Sequence, residues 1–296
     1  MLPNFLGIGA PKAATTWLFH CLREHPDIFV ARSKEVTILD YKYIDQHLAT
    51  YEQHFKDARG ASMIGEFSTR YLASRRAPAR AARLMPNAKL VVSLRHPAEQ
   101  IYSHYWHLRS QNFHGINGNS LPLTFHEAVR TLNHVLVEPA YYFRNISRWL
   151  EYFDRSRLHV IFFEEIVSDP SSVVRDLYEF LGVDSSFIPS AFLSGRRYRE
   201  GATAKNQSLE SIHRNLYSAL SRYVYAPMKV SLGVRRSDRI KSLLKARELL
   251  GYLFYSKGYP KMPTSMRQSI CRQFRDDIEA LSSLLDRPLD HWLVDC

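Results

Sequence analysis

The apolar run Phe5-Leu6-Gly7-Ile8-Gly9 stops at Pro11, and Lys12, Ala13, Ala14, Thr15 and Thr16 follow before Trp17 opens a helix-like stretch. A chain that leaves a buried strand and turns into a helix presents backbone N–H groups that no helix carbonyl accepts, so an anion is favoured there. The Lys12 ammonium and the two threonine hydroxyls would add donors. The plainer alternative is a threonine that caps the helix, with Lys12 solvated. The order of residues departs from the common nucleotide loop G-x-x-x-x-G-K-[ST], whose lysine comes last. A second set lies in "SLRHPAEQIYSHY". Arg95 ends an apolar run, Pro97 suits a first helical position, and Ser103 stands two turns in. A guanidinium fork fits a phosphate dianion, and a serine hydroxyl adds a bond. An arginine that pairs with a carboxylate at a strand end is the bland alternative.

These residues need elements to position them. Nearly continuous apolar runs predict buried strands at 4–9, 62–65, 89–94 and 158–163, and helical periodicity falls between them at 15–25, 73–85, 97–110, 140–154 and 170–181. "SDPSS" at 168–172 is a helix start signal. Alternation of strand and helix predicts an α/β fold with a parallel sheet. Ligands of open parallel sheets sit beyond the carboxyl ends of strands, which selects 10–16, 66–70, 95–103 and 164–168. Beyond Gly182 the pattern is helical and loop-like.

The chain has 296 residues, 45% hydrophobic, without a linker-like stretch or internal repeat, so one large domain is expected. A formal charge of +11 favours anionic partners: a nucleotide, an acidic glycan, a membrane surface or nucleic acid. Cys21, Cys271 and Cys296 are widely spaced and odd in number, which argues against a disulfide framework or a zinc site and suits a reducing compartment. The first strand begins too early for a signal peptide, and no apolar run reaches membrane-spanning length. A soluble cytoplasmic protein is the expectation.

Taken together, Lys-x-x-Thr-Thr after the first strand and Leu-Arg-x-Pro-x-x-x-x-x-Ser-x-Tyr after a later one resemble the two nucleotide motifs of the sulfotransferase family, which uses 3′-phosphoadenosine 5′-phosphosulfate (PAPS). "HPDIFVARSKEVTILD", "IGEFSTRYL" and "EPAYYFRNISRWLEYFDRSRLHVIFFEEIVSDPSSVVRDLYEFLGV" are similar to further segments of its carbohydrate and bacterial branches, the heparan sulfotransferases among them. The likeness spans residues 4–183, and "FRDDIEALSSLLDRPLDHWL" resembles the family's last helix. The resemblance implies a P-loop-like sheet flanked by helices. It also implies one sulfotransferase domain over 1–296, with a nucleotide-binding core at 1–183 and a mostly helical part at 184–296 that covers the nucleotide and acceptor sites. It implies transfer of a sulfuryl group from PAPS to a hydroxyl or amine of a carbohydrate, glycolipid or small metabolite. Adenosine 3′,5′-bisphosphate (PAP) leaves, and no metal takes part. Lys12, with Ala13, Ala14, Thr15, Thr16 and Trp17, would hold the 5′-phosphosulfate, and Arg95 and Ser103 the 3′-phosphate. Glu35 is implied as general base, with a surface ion pair to Lys34 or Arg32 as its plainer alternative. Glu66, in the turn after the second predicted strand, is the second carboxylate, and histidines such as His104 and His107 are rivals. A basic loop carrying Arg196, Arg197, Arg199 and Lys205 would cover the adenine and 3′-phosphate.

The chain departs from the family pattern at four places. Ala14 stands where glycine is common, His96 and Gln100 where aspartate and arginine are common, and Phe67 where glucosaminyl branches often carry lysine. Two other classes compete. A small-molecule kinase should show Gly-Lys-[Ser/Thr] and a magnesium carboxylate, of which Glu164-Glu165 is only a weak version. A nucleic-acid-binding protein would suit the charge and the seventeen tyrosines, yet no zinc spacing or reading motif occurs, so no nucleic-acid partner is expected. Leu243, Ala246, Leu250, Leu253 and Phe254 form a helical apolar face that reads as a core helix. Its sharper alternative is an acceptor lid in peripheral contact with a membrane through Tyr252, Tyr255, Tyr259 and nearby lysines.

Overall fold

The structure, a computed structural model, describes residues 1–40, 47–58, 60–110, 124–192, 202–204 and 255–294. Five parallel strands form one sheet: β1 (Phe5–Gly9), β2 (Ile28–Val30), β3 (Met63–Phe67), β4 (Lys89–Leu94) and β5 (Leu158–Phe162), in the order β2-β3-β1-β4-β5. The helices are α1 (Thr15–Glu24), α2 (Leu48–Gln53), α3 (Ala77–Leu84), α4 (Pro97–Ser110), α5 (Phe125–Thr131), α6 (Asn133–Leu136), α7 (Tyr142–Leu150), α8 (Phe163–Ser168), α9 (Pro170–Leu181), α10 (Thr264–Leu285) and α11 (Asp290–Leu293). From β1 the chain passes to the edge strand β2, returns through β3, and then crosses β1 to β4 and β5, so the crevice beyond β1 and β4 is the switch point at which such sheets bind ligands.

The predicted α/β class and the parallel sheet are present, and three of the four predicted strands lie close to their expected places. The differences are local. β2 went unforeseen because it is three residues long. β3 runs on to Phe67, so Glu66 belongs to a strand and not to the turn after it. The register explains this extension. Phe5 pairs with Gly65 and Gly7 with Phe67, so each ring lies over a glycine of the neighbouring strand. A Cβ on Gly7 would stand 2.1 Å from the Phe67 ring, and one on Gly65 would stand 2.3 Å from Phe5. The two rings meet edge to face at 6.4 Å, a preferred aromatic geometry. Phe67 is therefore a core residue, packed with Phe5, Phe19 and Leu18.

The chain divides into two compact units. The first comprises Met1–His104, Thr124–Tyr198 and Met262–Cys296; the second comprises Tyr105–Leu123 and Arg199–Lys261. The closing helix α10 thus belongs with the sheet and not with the residues that precede it. Asp277 on α10 accepts from the backbone N–H of Phe143 (3.0 Å) and Arg144 (3.2 Å), which caps the start of α7. In the second unit, β6 (Ala202–Ala204) pairs antiparallel with β7 (Tyr255–Lys257), and Tyr259 stacks on Trp106 at 6.3 Å. Cys21 is a buried free thiol, as a reducing compartment would suit, whereas Cys271 is disulfide-bonded, a bond that the odd count and wide spacing of the cysteines did not suggest. The apolar face at 243–254 lies outside the described residues. No described helix is long and apolar enough to cross a membrane.

Candidate active site

The loop from Ala10 to Ala14 is stitched to β4. The Ala10 N–H donates to Ser93 O (2.7 Å), and the Ser93 hydroxyl donates to Ala13 O (2.5 Å). The strand that delivers Arg95 therefore also fixes the loop that carries Lys12. Lys12 (φ 63°) and Ala14 (φ 59°) both adopt left-handed backbone, which accounts for glycine being common at position 14 in the family. Ala14 precedes α1 without a side-chain cap; its carbonyl accepts the Trp17 N–H (2.9 Å), so the helix-start amides that remain for an anion are those of Thr15 and Thr16. Trp17 stacks on Phe192 at 5.8 Å and fixes the outer face of α1.

A second segment meets this loop. After β2 the chain continues along β3: the Ala31 N–H donates to Gly65 O (2.9 Å) and the Glu35 N–H to Phe67 O (2.8 Å). Both Glu35 (φ 64°) and Thr37 (φ 59°) are left-handed, a strained state that persists where surroundings over-determine it and that clusters at functional sites. This bend brings Lys34 to α1. Its Nζ stands 2.9 Å from Thr15 Oγ1, 3.3 Å from Thr16 Oγ1 and 3.4 Å from Glu35 Oε1. The Glu35 carboxylate is anchored on its other side by the Thr69 N–H (2.8 Å) and hydroxyl (3.1 Å). The ion pair foreseen as an alternative for Glu35 does form with Lys34, while Arg32 pairs with Asp57 instead.

Glu66 faces elsewhere. It is fully buried and accepts from Tyr51 Oη (2.6 Å), Tyr71 Oη (2.9 Å) and Ser68 Oγ (3.2 Å). Burial pushes its pKa up to about 7, against the three hydroxyl donors, which favour the anion. Those same groups hold the site segment: the Thr37 N–H donates to Ser68 Oγ (2.9 Å) and the Leu39 N–H to Tyr71 Oη (3.4 Å). The structure thus gives Glu66 a supporting place behind Glu35, inside a closed polar cage.

At the start of α4, Arg95 lies over the Phe163 ring (4.5 Å) and 3.4 Å from Glu99, and its carbonyl accepts from Tyr142 Oη (2.8 Å). Arg267 of α10 reaches the same Glu99 at 3.6 Å, so two guanidinium groups flank one carboxylate. Ser103 is buried on α4. His96 replaces the common aspartate without loss of the cap, because its Nδ1 accepts the Ala98 N–H (3.2 Å) and Nε2 faces Trp292 O (3.1 Å). That requires a neutral ring, and burial together with the Arg267 charge holds its pKa down to about 4. Both ring nitrogens are then committed, so His96 serves as a cap. Glu165 caps the start of α8 through Phe162 N–H (3.0 Å) and pairs with Arg287, and Glu164 accepts from the His96 N–H (3.4 Å). Among the described residues no cluster of three or more His, Cys, Asp or Glu could hold a metal ion.

The structure therefore brings Thr15, Thr16 and Glu35 together, and adds Lys34 and Thr69, which the sequence reading had not placed in the site. Lys34 stood in the sequence as the lysine of the family-like Lys-Glu pair in "HPDIFVARSKEVTILD", without a role of its own, and nothing marked Thr69. Arg196, Arg197, Arg199 and Lys205 lie outside the described residues.

Residues 2–222 match the family described as "Sulfotransferase domain". The chain belongs to this family. Membership favours the sulfotransferase reading over the kinase and nucleic-acid readings. Among curated proteins, it is 27% identical over 312 aligned positions to the bifunctional heparan sulfate N-deacetylase/N-sulfotransferase 4 of Mus musculus, covering 99% of this chain and 31% of that one. The human N-deacetylase/N-sulfotransferase 3 matches at the same identity and coverage. The chain spans about a third of the length of these relatives. Among solved structures, a sulfotransferase from Alicyclobacillus acidocaldarius shares 22% identity with 99% of each chain covered and a TM-score of 0.69, which shows a common fold. A sulfotransferase domain from the curacin biosynthetic pathway covers 67% of this chain and 79% of its own at 17% identity and a TM-score of 0.50.

Proposed function

We propose that this chain moves the sulfuryl group of PAPS in line to a hydroxyl or amine of a carbohydrate acceptor. One observation carries the reading. The hydroxyls of Thr15 and Thr16 and the carboxylate of Glu35 converge on one ammonium group, within 3.4 Å. A loop fit for an anionic donor and a carboxylate fit for a proton thus open onto one place. The donor set suits a short phosphosulfate: a lysine in a left-handed turn, two hydroxyls and the first amides of α1, with no metal needed to bridge oxygens.

In this reading Lys12 faces the bridging oxygen, where negative charge grows as the S–O bond breaks. Thr15, Thr16 and the amides of Ala13 to Thr16 hold the 5′-phosphate, with Trp17 beside them. Arg95 and Ser103 take the 3′-phosphate, and the basic residues Arg196, Arg197, Arg199 and Lys205 cover it. Glu35 accepts the acceptor's proton. Its anchored carboxylate is ranked above Glu66, whose oxygens are enclosed by Tyr51, Tyr71 and Ser68. The formal charge of +11 suits a polyanionic glycan, and the heparan sulfate enzymes among the relatives make an amino-sugar chain the first acceptor to try.

The test has two steps. PAP should raise the melting temperature without magnesium, and magnesium-ATP should not. Labelled PAPS should then modify N-deacetylated heparosan. Lys12→Ala should lower turnover about a hundredfold, the loss of roughly 3 kcal/mol of transition-state stabilisation. Glu35→Gln should keep PAP affinity and lose turnover. Absence of a PAP-dependent shift, or near-wild-type turnover in folded Lys12→Ala, overturns the reading.

A further inference from the structure

Lys34 stands out because it comes from a different part of the chain than the loop it touches. It follows β2, its side chain is 12% exposed, and its ammonium touches both hydroxyls at the start of α1 as well as Glu35. An adjacent-residue ion pair with a carboxylate that is 35% exposed gains little and does not call for this position. The long side chain loses rotamer freedom to be held there.

Resting on the sulfotransferase reading above, we propose that Lys34 is a catalytic residue that contacts the sulfuryl group during transfer and spans the path from donor to acceptor. In-line transfer sets the leaving oxygen, the sulfur and the acceptor oxygen along one line. Thr15 and Thr16 mark the leaving end and Glu35 marks the acceptor end. Lys34 Nζ is within hydrogen-bonding or ion-pair reach of both ends, at 2.9 and 3.3 Å on one side and 3.4 Å on the other. The non-bridging sulfuryl oxygens stay anionic while the S–O bond to the leaving phosphate breaks and the bond to the acceptor forms. An ammonium beside that path stabilises them throughout. The contact has a second consequence. Each threonine oxygen accepts from Lys34, which leaves the hydroxyl's own proton to be donated to the donor phosphate. Phe67 is committed to the core over Gly7 and supplies no charge at this point of the sheet edge.

The experiment compares ligands that differ only in the sulfuryl group. Affinities for PAP and PAPS are measured by calorimetry without acceptor for wild type, Lys34→Met and Lys34→Arg, alongside turnover and melting temperature. Lys34→Met should weaken PAPS at least about tenfold more than PAP and lower turnover about a hundredfold, whereas Lys34→Arg should keep most of the PAPS preference. Should Lys34→Met fail to fold, Lys34→Gln takes its place with the same expected result. A parallel loss of PAP and PAPS affinity in a folded variant would mean that Lys34 merely ties segment 31–37 to α1, and the proposal falls while the sulfotransferase reading stands. A wild type that binds neither ligand removes both.

Discussion

Replacing Glu66 by glutamine tests the buried cage behind the site. The carboxyl is fully buried, and its pKa rises from 4.5 to about 7, so the folded chain holds a proton that the unfolded chain releases. A carboxyl with a raised folded pKa stabilises fully below its unfolded value, and that stability is lost as pH rises through the folded value. A difference of about 2.5 pH units is worth about 3.4 kcal/mol, of which about 2.5 kcal/mol falls between pH 5 and pH 8. Glutamine keeps an oxygen for Tyr51 and Tyr71 and an N–H for Ser68, yet cannot ionise. Urea unfolding at both pH values gives the stability of each protein. Wild type should lose about 2.5 kcal/mol more than Glu66→Gln on going from pH 5 to pH 8, since all other titrating groups cancel in the comparison. Parallel pH profiles would refute the reasoning and mean that the tyrosine hydroxyls solvate the anion well enough to offset burial.

Two further outcomes follow from the same geometry. Arg95→Ala should cost roughly 1.5–3 kcal/mol of affinity for PAP and leave adenosine 5′-phosphosulfate, which lacks the 3′-phosphate, almost unaffected; equal losses in calorimetry would move Arg95 away from that phosphate. Ala14→Gly should raise stability by up to about 1 kcal/mol in urea unfolding, because relief of the left-handed strain exceeds the entropy that glycine adds to the unfolded chain; a destabilised variant would mean that the Ala14 methyl contributes more to the core than its backbone costs.

Legibility of the fold followed the range of the forces that set it. β1, β4 and β5 are apolar runs covered on both faces, and local pattern reveals such strands. β2 is too short to produce one, and it borrows its place from the edge of β3 through Ala31 and Glu35. Glu66 read as a turn residue because a carboxylate inside a parallel strand is improbable until three hydroxyls from Tyr51, Ser68 and Tyr71 gather round it. The cap of α7 by Asp277 and the shared Glu99 between Arg95 and Arg267 are contacts across long stretches of chain, and no periodicity carries them. The place of Lys12, Thr15, Thr16 and Arg95 after β1 and β4 was legible, since those strands are continuous apolar runs and residues after strands of one parallel sheet end at one edge.

The left-handed residues tie fold to site. Of the five described non-glycine residues with positive φ, four, Lys12, Ala14, Glu35 and Thr37, lie in the two segments that meet at Lys34; the fifth, Asp286, ends α10. Each costs of order 1–3 kcal/mol, so the arrangement survives only because neighbouring bonds hold it. Glu35 is tied by Phe67 O and Thr69, Thr37 by Ser68, and the lysine loop by Ser93. Glycine would relieve the strain at Lys12 and Glu35 but would delete the ammonium and the carboxylate. Four of these five strained positions therefore fall where the proposed site needs an ammonium and a carboxylate on a sharply bent backbone, and the buried Glu66 cage holds the bend at Thr37 and Leu39 in place.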